Sequence, residues 1–252
     1  MTETPSAAHP DPGRWIRAAL VIFPVGTIVL GIASFGIWQW KKDQAADRSF
    51  KYAMALHQDI TPTAIEKHAS IVRTVLGQSD AMLAIPGYLE STMGPENMGY
   101  NVRRDRFIVN GAELANLDAE LSGKQMPREI VLVLVPYSTD AATREQIAQS
   151  IAVMLTTAHD ITGQPTLRTL RFAAVASTDG VFEKMAAQMK SDSERLMHLF
   201  LLGKPDPVMQ SRIQTAFGTQ AAGTHIETPD ITGTVPDAQQ LKSKLLQAAG
   251  QP

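Results

Sequence analysis

Six consecutive apolar residues, Ile130-Val131-Leu132-Val133-Leu134-Val135, constrain the fold more than any other stretch of the chain. A strand with one wet face alternates apolar and polar side chains, so an unbroken run calls for cover on both faces, as in the middle of an α/β sheet. The residues after this run predict a crossover. A helix from about Ala141 to Ile161 carries Ile147, Ile151, Met154, Leu155 and Ala158 on one side. Gly163-Gln164-Pro165 then breaks it, and Leu170 to Val175 reads as a second buried strand. Strand, helix and strand in that order form a right-handed parallel unit.

The flanking segments extend the pattern. Val102 to Val109 and Glu113 to Leu121 alternate at period two, and Asn110-Gly111 between them is a strong hairpin signal. Phe182 to Lys190 is expected to be helical, Leu196 to Leu202 a further central strand, Asp206 to Phe217 a helix and Asp237 to Ala249 a last amphipathic helix. Ala221 to Pro236, rich in Gly, Thr and Pro, reads as an irregular tail. Before the hairpin, two polar helical stretches fit between Asp43 and Leu76. The second starts at Thr61-Pro62, carries Ile65, Ala69, Val72, Val75 and Leu76 on one face and stops at Gly77. Pro86-Gly87 and Gly94-Pro95 make Asp80 to Tyr100 a broken helix or loop.

The N-terminus points to a bilayer. The first 14 residues hold almost no large apolar side chain and are expected to stay disordered. From Ala18 to Gln39, 22 residues carry no charge, enough for a helix across a hydrocarbon core of about 30 Å. Trp15 at one end and Trp38 and Trp40 at the other sit where indoles favour the interface, and Arg14, Arg17, Lys41 and Lys42 close the flanks. A transmembrane helix over residues 15–40 is therefore expected, with a helical linker region over 43–79 and the α/β domain over 80–252. Two basic residues precede the span and four follow it (Lys41, Lys42, Arg48 and Lys51), which favours a cytoplasmic body; long domains, however, translocate largely regardless of such charges.

Composition removes several kinds of chemistry. Lys+Arg 23 against Asp+Glu 25 gives a net charge of -2, with no broad positive field for a phosphate backbone, so no nucleic-acid partner is expected. With Cys 0, thiol nucleophiles, thiolate zinc sites and iron–sulfur clusters are excluded, and any metal must rest on His, Asp or Glu. No two of the six histidines are three or four residues apart, as a helix-borne zinc pair would be.

In α/β sheets, sites form outside the carboxyl ends of the parallel strands. Here those ends are Pro136-Tyr137-Ser138-Thr139-Asp140, Ala176-Ser177-Thr178-Asp179 and Gly203-Lys204. The run GPENMGYNVRRDRF, then Asn116-Leu117-Asp118-Ala119-Glu120-Leu121-Ser122-Gly123, then the apolar strand into VPYST and TLRFAAVASTDG resemble the di-zinc exopeptidases that include bacterial leucyl aminopeptidases and glutaminyl cyclases. The resemblance covers about residues 90–180 well and 181–203 poorly. It implies a mixed, mostly parallel sheet flanked by helices, with a C-terminally reduced domain.

It also implies where ligands belong, and there this sequence departs from the family. The first zinc histidine falls on Pro136, which has no side-chain donor atom. The bridging Asp falls on Glu145, the general-base Glu on Thr178, the neighbouring ligand on Asp179 and the Asp of the later strand on Phe200. His225 is a faint match to the family's last histidine. A catalytic zinc normally holds three protein ligands and a water, and the base contributes typically 10²–10⁴-fold. These vacancies imply a domain without catalysis and without a cofactor. Its expected role is that of a membrane-anchored binding or scaffolding module for a peptide or protein partner.

A divergent zinc hydrolase using Glu145, Asp179, Asp140 and His225 is the enzyme alternative, and a structural subunit of a membrane complex is another. Read structurally, Asp140 suits a helix N-cap and Asp179-Gly180 a turn or helix cap. His159 suits the end of a helix dipole, and His198 an interior or edge histidine. Arg103, Arg104 and Arg106 suit a solvated face or contact with anionic lipid. The basic-residue count and the family, whose anchored members usually act outside the cytoplasm, disagree on sidedness. The expectation adopted is an extracytoplasmic body.

Overall fold

The computed structural model of the chain describes residues 56–109, 111–218 and 224–250. The expected tail, transmembrane helix and first polar helical stretch lie outside the described residues. Among the described residues, no helix is long and apolar enough to cross a membrane.

The apolar run lies inside β3 (Met126–Tyr137), between β4 (Arg168–Ala176) and β5 (Arg195–Leu201), both parallel to it. A hairpin of β1 (Asn101–Val109) and β2 (Ala112–Leu121) joins β4 antiparallel. β6 (His225–Glu227) closes the other side, parallel to β5. The order β1-β2-β4-β3-β5-β6 is thus a mixed six-stranded sheet, parallel over four neighbouring strands. β6 corrects the irregular tail expected there: three residues are too few for any periodicity to show.

Both faces of β3 are covered. Val131, Val133 and Val135 pack with α1 (Pro62–Val75), α2 (Ala81–Met93), α3 (Arg144–Ile161) and α6 (Val235–Ala249). Ile130, Leu132 and Leu134 pack with α4 (Val181–Ser191) and α5 (Pro207–Gly218). Each such buried side chain contributes roughly 1.5–3 kcal/mol of transfer free energy. The chain leaves β3 towards one face and leaves β4 and β5 towards the other, so the connections diverge at the carboxyl end of β3.

α1 begins as its sequence suggests. The Thr61 hydroxyl accepts from Ala64 N at 3.1 Å, Pro62 occupies the first turn, and the helix ends at Leu76 before Gly77. Although it lies in the stretch expected to be a linker, it buries Ile65, Ala69 and Val72 in the same core as β3. α2 is the larger correction, because the helix runs through Pro86. A proline at this position cannot donate to the carbonyl four residues earlier. That carbonyl, Met82 O, accepts instead from the Tyr137 hydroxyl at 3.0 Å, and the next, Leu83 O, accepts from Arg104 Nη2 at 2.7 Å. Gly94 does end the helix.

The three hairpin arginines are paired. Arg103 donates to Asp118 Oδ2 at 2.8 Å, Arg104 to Glu90 at 3.3 Å and Arg106 to Glu113 at 3.5 Å.

Candidate functional site

At the carboxyl edge β3 delivers Pro136, buried in the strand opposite Val175, and then Tyr137. Tyr137 faces inward, its hydroxyl donating to Ala115 O as well as Met82 O, and burial pushes its pKa up. It braces the scaffold and is not free for chemistry. Beyond it the chain turns. Asp140 Oδ1 accepts from Ala142 N at 3.0 Å, and Asp140 O accepts from Thr143 N at 3.3 Å. The Asp140 carboxylate therefore serves the turn before α3. The N-cap itself is Thr143, which makes no side-chain cap bond.

Glu145, in the first turn of α3, is clamped by Arg73 of α1. Arg73 Nε donates to Oε2 at 2.6 Å and Nη2 to Oε1 at 2.8 Å, while Gln149 Nε2 reaches Oε1 at 3.1 Å. The hydrogen bonds from Arg73 hold the Glu145 carboxyl below its usual range against the opposing effect of burial. Asp179, after β4, is held by Arg212 of α5, whose Nη1 donates at 2.7 Å and whose Nη2 reaches Thr178 O at 3.3 Å. Gly180, next along the chain, takes φ +77° as the N-cap of α4, a conformation that explains glycine there. The Thr178 hydroxyl oxygen is buried without a hydrogen-bond partner.

The remaining two positions lie elsewhere. Phe200 is buried in the core under α6. His225 opens β6 at the sheet's edge, paired with His198 across the ladder, with ring centroids 5.5 Å apart. Burial and the neighbouring His225 hold the His198 imidazole low. β5 separates His225 from the end of β3. Asp140, Glu145, Asp179 and His225 thus form no common ligand group among the described residues. Pro136 and Phe200 offer no ligand atom, and Glu145 and Asp179 are engaged by arginines of two different helices, so these residues do not come together as a zinc centre of the exopeptidase kind.

Two clusters escaped sequence reasoning. On β4, Arg171 is 3% exposed, and its guanidinium meets Glu194 through two bonds of 2.6 Å, Glu120 at 2.7 Å and Asp118 at 3.4 Å. Burial works to lower the Arg171 pKa, but the three carboxylates raise it further than burial lowers it. Burial also raises Asp118, more than Arg171 and Arg103 pull it down. An arginine inside RTLRFAAVA was the available signal, since a charge in a buried strand requires partners. A cleft of about 30 Å³ beside Asp118, Arg103 and Lys184 has room for about one water. The second cluster is His57, Asp59 and Asp160, whose donor atoms lie within 4.8 Å of one another. Near it, His159 lies half-buried in the last turn of α3, where the sequence places it, and burial lowers its imidazole pKa.

No protein-family model matches the chain, and no curated protein matches it. Among solved structures, it is similar to Fimbriiglobus ruber glutaminyl cyclase (17% identity, 57% of this chain and 62% of that one, TM-score 0.43). It is also similar to a candidate zinc-dependent exopeptidase from Bacteroides vulgatus (10% identity, 77% and 97%, TM-score 0.49). A third is Tannerella forsythia glutaminyl cyclase (10% identity, 77% and 83%, TM-score 0.46). The chain thus spans less than two thirds of the Fimbriiglobus protein. These neighbours are of the kinds that the sequence resemblance names, and the likeness is one of backbone path alone.

Proposed function

We propose that the chain is a membrane-anchored, exopeptidase-like module without peptidase chemistry of its own, acting as a binding or scaffolding element for a peptide or protein partner. The observation that carries this reading is how the acids at the positions where the resembled family holds metal are engaged: Arg73 grips both oxygens of Glu145, and Arg212, from a different helix, donates to one oxygen of Asp179. A cation on Glu145 would have to compete with a bidentate guanidinium, and Pro136 would supply it no imidazole. The uncharged run Ala18–Gln39 supplies the anchor, and the body lies on the extracytoplasmic side.

Purified full chain is assayed for aminopeptidase and glutaminyl cyclase turnover with added Zn2+ or Co2+. No turnover above background is expected, and an activity lost in Glu145→Gln or Asp179→Asn refutes the proposal. A topology reporter fused after Pro252 tests the side of the membrane, and resistance of the chain to alkaline extraction tests the anchor.

A further inference from the structure

The His57 cluster stands at the opposite pole from the carboxyl edge. α3 runs back from that edge and carries Asp160 in its last turn, while His57 and Asp59 lie in the irregular stretch 57–61 before α1. His57 Nε2 is 3.4 Å from Asp59 Oδ1 and 3.6 Å from Asp160 Oδ1. Both separations are those of an imidazole–carboxylate pair held by charge and not by a short hydrogen bond. They match the spacing of neighbouring ligands around a tetrahedral ion: with nitrogen and oxygen donors about 2.0–2.2 Å from Zn2+, the tetrahedron's edges are about 3.3–3.6 Å.

Burial supplies an independent argument. The Asp160 side chain is 7% exposed, and its Oδ2 is paired with the ammonium group of Lys242 of α6. Oδ1 is left turned towards the imidazole. Lys242 offsets Asp160 alone, and a divalent cation would offset the second carboxylate, Asp59. Imidazole among the donors favours Zn2+ over Mg2+ or Ca2+, which prefer oxygen alone.

We propose that His57, Asp59 and Asp160 bind a divalent cation of the zinc class, with water completing the tetrahedron, and that the ion clips the stretch before α1 to the end of α3. Lys242 stays on Oδ2 as an outer partner. Its charge, and the lack of a hydrogen bond on the buried His57 Nδ1, make this a weaker site than a dedicated zinc centre. The site uses none of the positions that the exopeptidase resemblance marks and is independent of the proposed function.

The test is calorimetric titration of the chelator-stripped full chain with Zn2+, with Mg2+ in parallel. One Zn2+ per chain is expected, with Mg2+ binding much more weakly. Asp59→Asn should weaken Zn2+ binding at least about 10-fold, and His57→Ala should abolish it. Asp59 is 87% exposed, so its replacement leaves the packing intact and separates lost ligation from lost folding. Co2+ loaded in place of Zn2+ should show a tetrahedral absorption spectrum that both variants lose. Absence of stoichiometric binding, or binding that both variants retain, overturns the proposal. It is equally overturned if acidification through the range where imidazole protonates stabilises the stripped protein by way of His57 while Zn2+ leaves its unfolding temperature unchanged. The cluster would then be an imidazolium–carboxylate ion pair.

Discussion

Replacing Arg171 with Met should be among the most damaging single changes in the body. The side chain is 3% exposed, and its loss strands Glu194, Glu120 and Asp118, whose side chains are only 16%, 26% and 16% exposed. Removing one partner of a buried ion pair costs about 3–5 kcal/mol, because the remaining charge is neither solvated nor paired. With a urea m-value of about 2–3 kcal/mol/M, the unfolding midpoint should fall by about 1–2.5 M at neutral pH. The loss should depend on pH with a definite sign. Burial already holds the Asp118 carboxyl above its usual range, so the folded state binds that proton more tightly than the unfolded one. Its contribution to stability is therefore present at low pH and lost as pH rises through the folded-state value. Without Arg171 that loss deepens, so the variant's deficit should shrink on acidification. Adding Glu194→Gln should recover part of the deficit. Urea unfolding followed by circular dichroism checks all three expectations. A deficit below about 1 kcal/mol at neutral pH, or one independent of pH, would refute the account of a buried charge network.

Tyr137→Phe removes the hydroxyl that serves Met82 O and Ala115 O, and should cost about 1–3 kcal/mol in the same unfolding assay. The cost should fall in a Pro86→Ala background, where the helix supplies its own N–H to Met82 O; equal costs in both backgrounds would count against the rescue. Glu145→Gln should cost no more than about 1 kcal/mol, because Glu145 and Arg73 are substantially exposed, and high salt should erase the difference. The Glu145 carboxyl is depressed in the folded state, so its contribution is present above the ordinary carboxylate range and lost as pH falls through the folded value; the variant should lack that component. Burial, with His159 and Lys67, lowers His68 from 6.5 to about 4, so its contribution is present above 6.5 and fades as pH falls towards about 4. That difference is on the order of 3 kcal/mol, and unfolding of wild type and His68→Gln across this range should show it.

The elements that could be read from the sequence are those whose signal is local. β3 shows because six apolar residues require two covered faces, the hairpin because alternation flanks Asn110-Gly111, and α1 because Thr61-Pro62 and Gly77 bracket an apolar stripe. α2 could not be read because its proline is tolerated through Tyr137, a partner far away in the chain. The same holds at the carboxyl edge. Glu145 and Asp179 could be picked out as acids, but the arginines that engage them come from α1 and α5, 72 and 33 residues away, and no spacing rule links them. His57 and Asp160 likewise meet only once β3 has crossed the sheet and α3 has run back along it.

The sheet ends, among the described strands, on β1, nine residues long with one side unpaired. Such a margin invites a second molecule to extend the ladder. Its Arg103-Arg104-Asp105-Arg106 run works against that. Two copies laid antiparallel about Asp105 would set each Arg104 against the other's Arg106, placing like charges face to face. The arginines that steady the hairpin from within therefore also discourage the molecule from polymerising strand to strand.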